Sequence, residues 1–114
     1  MVLAICASSF AQPPQLVQTQ FDIMMRAVKD NVYASFVSAG NEEFKTSYVQ
    51  ESFDLLRDYI AARLAQGYEA TYLGTVNMRG YAVFLWKLSY TDGGDESLVS
   101  LSANNGYVAG FLIQ

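Results

Sequence analysis

The sequence predicts an α+β domain in which N-terminal helices pack on one four-stranded antiparallel sheet. As far as Leu64, apolar residues recur at steps of three and four, as they do along one face of an amphipathic helix. From Gly67 onward the chain consists of four runs rich in aromatic and β-branched residues, separated by turn-forming segments. Helices followed by a meander of strands give this fold class.

The first long helix is expected to follow Pro14, with Asp30-Asn31 as a point where it can divide into two helices. The apolar stripe of this helix consists of Val17, Phe21, Met24, Met25, Val28, Val32 and Phe36. Met24 and Met25 in this stripe can fill the core or form soft contacts to a hydrophobic ligand.

A second long helix is predicted after a short turn or helix at residues 42–45. Ser47 and Gln50 have the spacing of a capping box, so the helix is expected to begin there. Gly67 is expected to end it in a left-handed conformation. Its stripe consists of Val49, Phe53, Leu56, Ile60 and Leu64, with Leu55 and Tyr59 in addition.

The final hairpin predicts a register that can be tested. Asn105-Gly106 favours a type I′ turn between strands at residues 97–103 and 107–113. The predicted pairs are Ala103 with Val108, Leu101 with Gly110 and Val99 with Leu112 on one face, and Ser102 with Ala109, Ser100 with Phe111 and Leu98 with Ile113 on the other.

In this register both faces of the sheet carry apolar side chains. Two further strands are predicted before this hairpin, at residues 68–76 and 81–90. The second of them, residues 81–90, also carries apolar side chains on both faces. A sheet covered on one side only would alternate apolar with polar residues. We therefore expect the helices to cover one face and a second copy of the protein to cover the other.

Composition excludes several classes of function. The chain of 114 residues carries a net charge of −4, with seven scattered basic residues, which argues against a nucleic-acid partner. Histidine is absent, so no histidine-based nucleophile or metal site can form. We expect no metal and no cofactor. No apolar run reaches the length of about 18 residues that a membrane-spanning helix needs.

The N-terminus is typical of an exported protein. Residues 1–11 have an apolar stretch followed by small residues, with Ser9 and Ala11 at the −3 and −1 positions of a cut before Gln12. The basic opening of a leader is missing, so the natural start is expected upstream. We interpret residues 1–11 as a signal-peptide remnant, 12–15 as a spacer and 16–114 as one domain, periplasmic or secreted; a cytoplasmic protein is the alternative.

Several short motifs between Phe44 and Phe111 together resemble a known family. They are Phe44-Lys45, Phe53, Leu64, Gly67-Tyr68, Tyr72-Leu73-Gly74, Leu85-Trp86-Lys87, Asp92-Gly93 and Val108-Ala109-Gly110-Phe111. With these motifs the chain resembles small uncharacterised bacterial members of the nuclear transport factor 2-like superfamily, which has a cystatin-like fold. The resemblance covers roughly residues 16–114 and implies a curved sheet forming a cone around a long helix, with dimers through the outer sheet face.

The leading functional hypothesis is a non-enzymatic domain that binds an apolar small molecule or a protein partner through the cone. Eight Tyr, seven Phe and one Trp motivate it, because ligand pockets are lined mainly by apolar and aromatic groups. The alternative is that these aromatic side chains simply form the core. The predicted pocket residues are Phe84, Trp86, Tyr90, Tyr72, Tyr59 and Phe53.

Two other functions remain open. The superfamily includes isomerases, dehydratases and cyclases, and a tyrosine donor could act here with Asp22 or Asp30 as a buried general base. The candidate donors are Tyr33, Tyr48, Tyr59, Tyr72 and Tyr90. Both aspartates fall on the polar side of the first helix, so no catalytic residue is assigned. The third function is a structural or assembly module, in which dimerisation is itself the role.

Overall fold

A computed structural model describes residues 12–114, and the predicted signal-peptide remnant lies outside these residues. Four helices precede four strands, in the order that the sequence predicts. The helices are α1 (Gln15–Asp30), α2 (Tyr33–Ser38), α3 (Glu42–Ser47) and α4 (Gln50–Gln66). The strands are β1 (Tyr68–Met78), β2 (Tyr81–Tyr90), β3 (Ser97–Asn104) and β4 (Tyr107–Ile113).

The strands form one antiparallel sheet in the order β1-β2-β3-β4, and the helices pack on one of its faces. This face is called the inner face, and the opposite one the outer face. The α+β class and the four-stranded meander are confirmed. Each pair of neighbouring strands is also consecutive in the chain, so every connection is a short hairpin or loop.

Local chemistry explains where the helices begin and end. Asn31 takes a left-handed conformation (φ 63°, ψ 53°) and separates α1 from α2, as predicted for the Asp30-Asn31 step. The capping box predicted at Ser47 is wrong. Ser47 is the last residue of α3, and α4 begins at Gln50 without a side-chain cap. The side chain that does cap a helix is Asn41, whose Oδ1 accepts from the Phe44 N–H at 2.8 Å.

The end of α4 differs in detail from the prediction. Gly67 has a positive φ of 123°, but its ψ of 140° lies outside the left-handed helical region. This combination is essentially restricted to glycine. The Gly67 N–H donates to the Leu64 carbonyl, and the Gly67 carbonyl accepts from the Thr91 N–H at 3.0 Å. Gly67 therefore connects the end of α4 directly to the start of the β1–β2 ladder.

The predicted register of the last hairpin holds only next to the turn. Ala103 pairs with Val108 as predicted, but Ala109 forms a β-bulge, and Ser102 then pairs with Gly110. The extra residue moves every later side chain of β4 to the opposite face. Phe111 and Ile113 therefore join Leu101 and Val99 on the inner face, where all four are buried.

Apolar side chains lie on both faces of the sheet, as expected, but the bulge changes which residues of β4 lie on each face. Without Phe111 and Ile113, the β3–β4 part of the outer face carries Ser100 and Ser102, with Leu98 and Leu112 as its large apolar residues. Apolar residues on the outer face concentrate instead on β1 and β2 and at Leu112. The outer face is thus a mixed surface with one apolar region.

The core lies between the inner face and the apolar stripes of the helices. Met24 and Met25 are both buried there, so they fill the core. Phe36 of α2 packs edge-on against Phe111, with ring centroids 5.2 Å apart, and so ties the short helices to β4. The second predicted stripe is correct at Phe53, Ile60 and Leu64, whereas Val49, Leu55 and Tyr59 are exposed.

Candidate functional site

The six predicted pocket residues divide between the core and the surface. Trp86, Phe53, Phe84 and Tyr90 are buried in the core. Tyr72 is half-buried, with its ring centroid 5.5 Å from that of Trp86. Tyr59 is 60% exposed on the solvent side of α4. The structure therefore places five of the six in or against the core between the helices and the sheet and leaves Tyr59 on the surface.

Trp86 lies at the centre of this group and is fully packed. Only 1% of it is exposed, and Phe21 of α1 stacks on its ring at a centroid distance of 4.0 Å and an interplanar angle of 11°. This stacked ring occupies the space that an open cone would offer to a ligand beside the indole. The aromatic residues of β2 thus serve as core where α1 crosses the sheet.

One predicted pocket residue, Phe84, borders a small open groove of about 230 Å³ between the start of α1 and the tips of the hairpins. Gln20 lies in the same groove and is only 6% exposed. Its Nε2 donates to the Gly106 carbonyl at 3.0 Å, which orients the amide because a carbonyl can only accept. The Oε1 atom is then left buried without a hydrogen-bond partner. We call this feature the Gln20 groove.

The sequence analysis missed Gln20 because it treated α1 as one apolar stripe with a polar back. A glutamine at a position that helical spacing places beside Val17 and Met24 was the available signal. Buried polar groups normally have partners, so an unpartnered amide oxygen marks a place where a hydrogen-bond donor would be favourable.

A second feature that sequence reasoning missed anchors the loop after β2. Arg63 donates from Nε to Asp92 at 2.7 Å, and from Nη2 to Asp92 at 2.9 Å and to the Asp95 carbonyl at 2.9 Å. Its guanidinium carbon lies 3.7 Å from the centroid of the Tyr90 ring. Only the tertiary fold brings Arg63 and Asp92 together.

This ion pair lowers the pKa of the Asp92 carboxyl group. The hydrogen bond from Arg63, with a second one from the Gly94 N–H, lowers the pKa of Asp92 from 3.8 to about 2. The Tyr90 hydroxyl donates to Ser97 Oγ at 2.7 Å, and burial raises the pKa of this tyrosine. The Arg63 hydrogen bonds connect the loop after β2 to α4, and the Tyr90–Ser97 hydrogen bond connects the end of β2 to the start of β3.

The proton-transfer hypothesis required a carboxylate inside the cone. All eleven Asp and Glu residues of the chain, Asp22 and Asp30 among them, are exposed. The hydroxyls of Tyr33, Tyr72 and Tyr90 are engaged with the Tyr48 carbonyl, Thr75 and Ser97. Burial raises the pKa of Tyr48, which favours its neutral phenol. Among residues 12–114 the structure therefore shows no buried tyrosine–carboxylate pair that could act as donor and base.

The apolar region of the outer face forms a shallow concavity. We call it the outer sheet patch, and it comprises Val76, Met78, Tyr81, Val83, Leu85 and Leu112. Leu112 is 53% exposed, and Val76 and Met78 are exposed as well. A depression of about 610 Å³ lies beside Met78, Tyr81, Val83 and Leu112 of this patch. Its other lining residues include Ser100, Ser102 and Gly110 of the sheet and the charged side chains of Glu43 and Arg79.

Other classes of site were sought in the same part of the chain. Residues 12–114 contain no group of three or more acidic, cysteine or histidine side chains arranged to hold a metal ion. None of the helices within this range combines the length and apolar character needed to cross a bilayer.

Comparison with known proteins gives a structural likeness without a sequence relative. No family model matches the chain, and neither does any curated protein. An uncharacterised cystatin-fold protein from Novosphingobium aromaticivorans, known from a crystal structure, aligns with 90% of this chain and 99% of its own, at 14% identity and a TM-score of 0.43. This similarity assigns neither a family nor a function, and membership of the nuclear transport factor 2-like superfamily stays a prediction.

Proposed function

We propose that the protein is a non-enzymatic binding domain whose outer sheet patch docks a second copy of the same chain. The observation that carries the proposal is the patch itself, a group of exposed apolar side chains on the outer face of the sheet beside a shallow depression. Contiguous exposed apolar surface of this kind marks interaction sites in proteins that are otherwise polar outside.

The partner argued for is a second copy because the depression at the patch holds one carboxylate, Glu43, and one guanidinium, Arg79, and so has no net charge to select an oppositely charged protein. Its apolar residues are interrupted by serines and a glycine, which leave the surface low enough for close approach. In an isologous dimer the patch of one copy packs against the same patch of the other, so apolar residues meet apolar residues. A stable interface of this type buries about 800 Å² on each partner.

Sedimentation velocity of the purified chain at micromolar concentration tests the proposal. Leu112→Lys places a charge at the β4 side of the patch and is expected to weaken self-association through this face at least tenfold. Leu55→Lys is the matched control, because Leu55 is 67% exposed on α4, away from the sheet. If Leu112→Lys associates as the unmodified chain does, the patch is not an interface between copies.

A second candidate function is supported by the Gln20 groove. We propose that it accepts a small apolar molecule with one hydrogen-bond donor, such as a phenol, whose hydroxyl would donate to Gln20 Oε1 after a small opening of the groove. The apolar lining and the unpartnered oxygen favour this chemistry over an anion.

Ligand-observed NMR with phenol and toluene tests the groove. Phenol is expected to bind more tightly than toluene, and Gln20→Leu is expected to abolish that preference while still binding toluene. Equal affinity of the native chain for both molecules would show that Gln20 takes no part in recognition.

A further inference from the structure

The two edges of the sheet differ in how they are covered. At the β4 edge, Val108 accepts from the Asn41 N–H and donates to the Ala39 carbonyl, both at 2.9 Å, so residues 39–41 lie against that strand. Within residues 12–114, β1 forms a ladder with β2 alone. β1 is also the longest strand, with 11 residues, and it contains no Lys, Arg or Pro of the kind that protects sheet edges.

The alternation of antiparallel pairs identifies which backbone groups of β1 face outward. The Thr91 N–H donates to the Gly67 carbonyl, so Gly67 and Thr91 form a hydrogen-bonded pair next to the Tyr68–Tyr90 pair. Hydrogen-bonded and non-hydrogen-bonded pairs alternate along the ladder. Tyr68, Ala70 and Tyr72 therefore each direct an N–H and a C=O away from β2, toward the open edge.

We propose that residues 68–72 pair antiparallel with the same residues of a second copy, about a two-fold axis at Ala70. In this register Tyr68 lies opposite the partner's Tyr72, Glu69 lies opposite the partner's Thr71, and Ala70 lies opposite the partner's Ala70. All three outward-facing residues then find hydrogen-bonded partners, because each meets another residue with outward-facing groups.

The sequence of this segment argues for a second copy over an unrelated strand. Tyr-Glu-Ala-Thr-Tyr reads nearly the same in both directions, so antiparallel self-pairing matches tyrosine with tyrosine and keeps Glu69 from facing its own copy. The smallest side chain, that of Ala70, lies at the axis, where it meets its own copy without steric conflict. Cross-strand aromatic pairs of this kind contribute about 0.2–1 kcal/mol each.

Two neighbouring features fit this pairing. On the inner side, an open groove of about 230 Å³ between α1 and Tyr68 leaves room for the partner's Tyr72; Asp22, Arg26 and Lys29 line it. Beyond Tyr72, a β-bulge before Gly74 interrupts the register with β2. The bulge confines regular pairing to residues 68–72, which favours a closed dimer over an extended sheet.

This edge is separate from the outer sheet patch, so the two interfaces can be tested independently. Leu112→Lys provides a background in which association through the patch is weakened. In that background the chain is expected to sediment as a dimer at micromolar concentration. Ala70→Lys, which sets two ammonium groups opposite each other at the axis, is expected to raise the dimer dissociation constant at least tenfold.

Ala70→Pro is the second variant, because it removes an outward N–H without removing a β1–β2 hydrogen bond and is expected to give the same loss. Ala62→Lys on the exposed side of α4 is the control and should remain dimeric. Hydrogen exchange adds a direct readout, with the Ala70 and Tyr72 amides protected only in the dimer.

The outcomes separate this inference from the proposed function. A Leu112→Lys chain that is monomeric, or Ala70 variants that dimerise as their parent does, would overturn the edge pairing. A dimer that ignores Leu112→Lys but dissociates with Ala70→Lys would support the edge and remove the patch.

Discussion

Trp86→Ala is expected to remove a large part of the stability of this domain. Trp86 is 1% exposed and stacks on Phe21 at 4.0 Å, so truncation removes buried apolar area, the stacking contact and the atoms that fill the space between α1 and the sheet. Truncations of this kind cost about 3–5 kcal/mol. A domain of ordinary stability has only about 5–15 kcal/mol in total.

Urea denaturation followed by far-UV circular dichroism measures this change. With a slope of about 2 kcal/mol per molar urea, a loss of about 4 kcal/mol lowers the midpoint by about 2 M. Tyr59→Ala is the control, since Tyr59 is 60% exposed, and it is expected to change stability by less than about 0.5 kcal/mol.

The same experiment separates a packed core from a ligand pocket. A loss below about 1 kcal/mol for Trp86→Ala, with the fold intact, would contradict the reasoning from burial. Trp86 would then act as the wall of an open cavity, as the hypothesis of a cone-binding domain requires. As the single tryptophan of the chain, Trp86 also reports its own burial through fluorescence quenching by acrylamide.

Three further predictions concern local features. The pKa of Asp92 is about 2 in the folded protein and 3.8 in the unfolded chain. Its ion pair with Arg63 is therefore expected to stabilise the protein above about pH 4 and to lose this effect as the pH falls toward about 2. Asp92→Asn should flatten this part of the plot of unfolding free energy against pH, measured by urea denaturation. Asn41→Ala removes a helix cap and is expected to cost about 1 kcal/mol, whereas Ser47→Ala should cost little. Gly40→Ala would drive a methyl group into the Phe44 ring and is expected to cost about 1–3 kcal/mol, measured by urea denaturation.

Each of these predictions has a control and a result that would contradict it. Asp95→Asn should leave the acid limb of the pH profile in place, because its backbone and not its carboxylate meets Arg63. A larger loss for Ser47→Ala than for Asn41→Ala would restore the capping box that the sequence predicts. Gly110→Ala has 3.5 Å to its nearest neighbour, so a loss equal to that of Gly40→Ala would reject the steric argument.

Hydrophobic periodicity and turn-forming residues together were sufficient to predict the order of the helices and strands. The stripes of α1 and α4, the break at Asn31 and the four strands all follow from short-range patterns. Each pattern depends on residues a few positions apart, whose relation in space is set by the geometry of a helix or strand. The capping box failed for a related reason: Ser47 had the right spacing, but Asn41 had already begun a helix that ends at Ser47.

Features that join distant parts of the chain could be decided only by the tertiary structure. Nothing in the local sequence around Ala109 indicates that it bulges, yet the bulge determines which face receives Phe111 and Ile113. Arg63 and Asp92, 29 residues apart, pair only because α4 lies beside the loop after β2. The outer sheet patch and the open edge at residues 68–72 depend on the same long-range packing, because a side chain or backbone group is exposed only when no other element covers it.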